Sequence, residues 1–69
     1  MDTKNLTEVT GTRMELVAEL RRLAQGWDHL GKPDLARASE AGADRLLMGE
    51  GSVQVGHTRY KVQVTEPTP

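Results

Sequence analysis

The side chains able to do chemistry in this chain are few and scattered. His29 and His57 are the only imidazoles, Ser39 and Ser52 the only serines, and there is no cysteine. Asp28 and His29 are neighbours, but adjacent residues on a helix point about 100° apart, so neither orients the other as a relay. Neither serine has a base at a spacing that the sequence supports. The stretch Gly49-Glu50-Gly51-Ser52 resembles a phosphate loop only in composition. Phosphate loops run from a strand into a helix N-terminus, whereas this one leaves a helix and enters a strand, presenting the wrong end of the dipole. Its reading is a helix C-cap and turn. Metal ligation finds no His pair at helical spacing and no thiolate. Glu40 and Asp44 share a helix face, which reads as a solvated surface rather than a weak cation site. A chain of 69 residues also has little room for a pocket of the usual ~300 Å³ or more. The expectation is therefore a non-enzymatic protein with no cofactor, no metal and no small-molecule substrate.

The elements that must carry these residues are legible from periodicity. Leu16, Leu20, Leu23, Trp27 and Leu30 recur at alternating steps of four and three, which predicts a helix with one apolar stripe. Thr12 followed three residues later by Glu15 is a capping box that starts it. Gly31-Lys32-Pro33 ends this helix and opens a second, over about Pro33–Met48. Its stripe reads Leu35, Ala38, Ser39, Gly42 and Leu46. Small residues allow close approach, and Gly42 in mid-helix costs roughly 1 kcal/mol against Ala. A large neighbour pressing on Gly42 is the expected compensation. The short connection predicts antiparallel helices, with Trp27 beside Leu35 and Ala36, Leu23 beside Ser39, Leu20 beside Gly42, and Leu16 beside Leu46.

Residues 51–64 predict a β-hairpin. Val53 and Val55 alternate with Gln54; Tyr60, Val62 and Val64 alternate with Lys61 and Gln63. Gly56-His57 suits a two-residue turn with Gly at the positive-φ position, pairing Val55 with Thr58 and Val53 with Tyr60. The fold class is α+β, an antiparallel helix pair followed by a C-terminal hairpin (ααββ). Residues 12–65 form its single domain, residues 1–11 a flexible or partly docked arm, and residues 66–69 a disordered tail.

Function must then come from surfaces. Formal net charge is −1, which supplies no bulk attraction to nucleic acid or anionic lipid. The polar N-terminus carries no signal peptide pattern, and no run is apolar enough to span a membrane, so the expected location is cytoplasmic. A lone hairpin is marginal in water and leaves two strand edges unpaired. This favours a protein–protein interaction module of adaptor or inhibitor type, self-associating as a homodimer or binding a protein partner. The expected contact residues are Leu47, Met48, Tyr60, Val62 and Val64. Trp27 and Tyr60, the only aromatics, are the natural anchors, with Trp27 expected in the core. The alternative is a minimal winged-helix-like DNA-binding protein using Gln54, Arg59, Lys61 and Gln63 on the outer face of the hairpin. Against it, the second helix exposes Glu40 and Asp44 beside Arg37, and a phosphate backbone would repel that face.

Overall fold

The computed structural model describes residues 7–63. In chain order they form β1 (Thr7–Gly11), α1 (Arg13–His29), α2 (Pro33–Leu47), β2 (Ser52–Val55) and β3 (Thr58–Val62). The protein is α+β, with two helices and one three-stranded sheet of order β1-β3-β2. β2 and β3 form the antiparallel hairpin, with Val53 opposite Tyr60 and Val55 opposite Thr58. Gly56 supplies the turn with φ +61°, a conformation costly for any residue with a Cβ.

β1 corrects the sequence reading. The segment expected to be an arm is a strand from Thr7 to Gly11, running parallel to β3 and pairing Val9 with Tyr60. The sheet is therefore more than a hairpin, and the free edge of β3 is sealed by the chain itself. The physical reason is composition: Thr7, Val9 and Thr10 are β-branched and fit a pleated, half-buried surface. Gly11 then ends the strand against α1. A Cβ there would lie 3.1 Å from Glu15 Oε1 and 3.6 Å from Leu16 Cδ2, so the bare backbone permits the close approach. Residues 1–6 and 64–69, including the expected tail and Val64, lie outside the described residues.

α1 begins as its sequence requires. Thr12 Oγ1 accepts from the Glu15 amide at 3.1 Å, and Glu15 Oε1 accepts from the Thr12 amide at 3.0 Å. α2 opens with Pro33 in its first turn. It runs back along α1: at mid-length, a Cβ on Gly42 would sit 3.6 Å from Leu20 Cδ1. The start of α1 meets the end of α2 through Arg13, whose guanidinium donates to the Leu46 carbonyl and, at 2.8 Å, to the Glu50 carbonyl. The Leu46 carbonyl also accepts from the Gly49 N–H at 3.1 Å, so Arg13 adds a charged donor from the other helix to the C-terminal turn of α2 and to the loop after it.

One face of the sheet packs on the helices. Leu16, Val17, Leu20, Ala43, Leu46, Val53, Val55 and Tyr60 form the buried cluster, flanked by Val9, Leu23 and Val62. Gly42 faces the large neighbours its sequence position implied: Val53 Cγ2 and Val55 Cγ2 lie 3.3 Å from where its Cβ would be. The buried arc of α2 differs from the expected stripe. Ala38 is exposed and Ala43 buried, because α2 packs on β2 as well as on α1 and its buried arc is rotated accordingly. Leu30 caps α1 and is exposed. Ser39 is fully buried, and its hydroxyl has no hydrogen-bond partner.

Candidate functional site

The register sorts the strands into two unlike surfaces. In one row Glu8, Arg59 and Gln54 stand side by side on β1, β3 and β2; in the next row stand Thr10, Lys61 and Ser52. All six are exposed. Because side chains alternate along a strand, this bare face lies opposite the face holding Val53, Val55 and Tyr60. Sequence reasoning foresaw Gln54, Arg59 and Lys61 here, and exposed Gln63 follows in the same alternation. It missed Glu8, whose carboxylate is brought beside Arg59 and offsets half the cationic charge of the face. The Gln54 side-chain amide is turned onto the Gly56 carbonyl at 3.3 Å.

The residues expected to meet a protein partner divide. Leu47 is 46% exposed and Met48 83% exposed, joined by Met14 at 66%. Arg13 ties the start of α1 to the end of α2, so these three apolar side chains stand at one end of the helix pair. Tyr60 is instead only 5% exposed and Val62 is half-buried against the core. Both belong to the packed face rather than to an open surface. The parity of the register dictates this, since Tyr60 stands opposite Val53 and Val9.

Trp27 is half-buried rather than sealed in the core. With Leu23, Leu35, Val55 and Tyr60 it lines an apolar groove of about 360 Å³, rimmed by Gly56, His57 and Thr58. This is more space than the chain length suggested. Its polar side-chain groups are the imidazole of His57, the hydroxyls of Thr58 and Tyr60, and the indole N–H of Trp27. Burial raises the Tyr60 pKa above its ordinary value, and the nearby Glu19 carboxylate pushes the same way, against a weaker opposing contact with Thr58. The phenol is thus held protonated. His29 is exposed at the end of α1, Ser52 is exposed on β2, and Ser39 is enclosed between secondary-structure layers. The structure does not bring these residues together with His57.

On the side of the helices away from the sheet, Glu40 and Asp44 share a polar groove with Arg21 and Gln25. Arg21 stands in the same groove as those carboxylates. Among the described residues, no group of three or more His, Asp or Glu side chains is placed to hold a metal ion, and no helix is long and apolar enough to cross a membrane.

The sheet edges complete the site. Thr7 N–H donates to His57 O at 2.9 Å and Gln63 N–H donates to Gly11 O at 2.8 Å. In a parallel ladder alternate residues bond the same neighbour, so Thr7, Val9 and Gly11 face β3 while Glu8 and Thr10 turn their peptide groups outward. On β2 the bond from Val62 N–H to Gly51 O at 2.8 Å fixes the opposite parity, and Ser52 and Gln54 point outward. No described strand pairs with either outer edge.

No protein-family model, curated protein or solved structure matches the chain.

Proposed function

We propose that this protein is a small non-enzymatic association module that pairs with a second copy of itself. The observation that carries the reading is the open sheet: three strands, one face covered by helices, and outward-pointing peptide groups at Glu8 and Thr10 on one flank and at Ser52 and Gln54 on the other. Exposed strand edges are templates for pairing, and proteins that stay monomeric blunt them by keeping them very short or with charges, prolines, bulges or covering loops. Neither β1 nor β2 contains a proline. The exposed end formed by Met14, Leu47 and Met48 offers a further apolar contact. The groove beside His57 combines one imidazole, two hydroxyls and one indole N–H with no carboxylate, a set that supports binding better than catalysis.

Sedimentation equilibrium from low to high micromolar concentration tests this reading. The expected outcome is a rise from monomer towards dimer mass, with a melting temperature that climbs with concentration. A constant monomer mass with a concentration-independent melt would remove self-association.

A second reading has one observation in its favour. Arg59 and Lys61 are adjacent on the bare face of the central strand, with Gln54 and Gln63 beside them. Such a face suits phosphate contacts. It predicts DNA binding that weakens steeply with salt and disappears when Arg59 and Lys61 are changed to Glu. Glu8 in the same row weighs against it.

A further inference from the structure

We infer that self-association, if the reading above holds, uses β1 in an antiparallel, two-fold pairing centred on Val9. This rests on the proposed self-association and specifies its geometry. An isologous contact places one residue opposite its own copy, and the choice of that residue decides what else meets. With Val9 on the axis, all five residues of β1 find a partner: Thr7 opposite Gly11, Glu8 opposite Thr10, and Val9 opposite Val9. The outward peptide groups at Glu8 and Thr10 then meet each other and form the closely bonded pair of an antiparallel ladder. An axis at Glu8 sets two carboxylates face to face, which is destabilising. An axis at Thr10 runs Glu8 past the end of the strand, onto Thr12 where α1 begins.

Both surfaces of the sheet agree with this register. Val9 is half-buried and packs on the core, so pairing two copies extends the apolar face across the seam. On the bare face Glu8 stands between Arg59 of its own β3 and, beyond Thr10, Lys61 of the second copy. Charge thus alternates along the row Arg59, Glu8, Thr10, Lys61 through the seam. The β2 edge fits less well. It has four residues, so a full-length self-pairing centres between Val53 and Gln54 and sets an inward valine against an outward glutamine. Shifting the axis to Val53 leaves only Ser52–Gln54 overlapped. The Gln54 side chain is also committed to Gly56 O on its own turn.

The test exploits the absence of native cysteine. Val9→Cys places two sulfurs on a non-hydrogen-bonded pair with Cα atoms about 4.5 Å apart, inside the ~4.4–6.8 Å range of disulfides. Oxidation is expected to yield a covalent dimer, while Thr7→Cys, opposite Gly11, stays monomeric on a non-reducing gel. Thr10→Pro removes an outward N–H and leaves the bonds to β3 in place. It is expected to weaken the dimer by about tenfold or more, because two symmetric hydrogen bonds are lost. Gln54→Pro is expected to leave dimerisation unchanged, and circular dichroism reports whether each variant keeps its fold. Wild-type dimerisation with no Val9→Cys cross-link, or with sensitivity to Gln54→Pro instead, would overturn the β1 assignment and leave self-association standing. A monomeric wild type would overturn both.

Discussion

The two faces of the sheet are built from the same three strands and could hardly differ more. Towards the helices, Val53, Val55 and Tyr60 are buried, and Gly42 gives way to the two valine methyls at contact distance. Towards solvent, Glu8, Thr10, Ser52, Gln54, Arg59 and Lys61 are exposed. Burial and close packing on one face specify the fold, so substitutions there act on folding. The other face and the edges are free to change without unfolding the chain, which is where association can be encoded.

The comparison breaks most completely at Leu20. Leu20→Asp puts a carboxylate at a position with no exposed surface and removes a core side chain. Loss of the leucine alone costs ~2–5 kcal/mol, and the buried charge adds to this. The variant is expected to be unfolded by circular dichroism. Arg13→Ala strikes the seam between α1 and α2. Removing the donor to the Leu46 and Glu50 carbonyls is expected to cost about 1–2 kcal/mol in denaturant unfolding, since hydrogen bonds from charged groups are the stronger kind. Ser39→Ala sharpens the contrast in the other direction. The buried hydroxyl has no partner, and an unsatisfied polar group carries a desolvation cost, so the alanine variant is expected to gain about 1 kcal/mol. Arg59→Ala, on the bare face, is expected to change stability by less than ~0.5 kcal/mol. A large loss there would mean that the bare face supports the fold after all.

Periodicity and capping carried most of the architecture in the sequence. The three-four spacing from Leu16 to Trp27, the Thr12–Glu15 capping box and the Gly56-His57 turn each act through near neighbours, so local sequence contains them. β1 is different. It has a single apolar side chain, Val9, and its partner strand lies some fifty residues away in parallel register, so no turn or alternation announces it. Leu6 and Val9 also mimic helical spacing. The signal that was present is the run of β-branched residues at Thr7, Val9 and Thr10 ahead of Gly11. Arg13 was missed for a related reason: a charged residue at the start of a helix looks solvated until the fold brings the Leu46 and Glu50 carbonyls to it. Among the candidate site residues, Leu47 and Met48 followed from falling off the α2 stripe. Tyr60 and Val62 did not separate from them, because alternation divides a strand into two faces without saying which face is covered.

Amide hydrogen exchange tests the self-pairing most directly, because it reads the two sheet edges in one sample. The Glu8 and Thr10 amides are expected to exchange freely in dilute protein and become protected as concentration rises, while the Ser52 and Gln54 amides stay fast throughout. Equal exchange at both edges, unchanged by concentration, would contradict it.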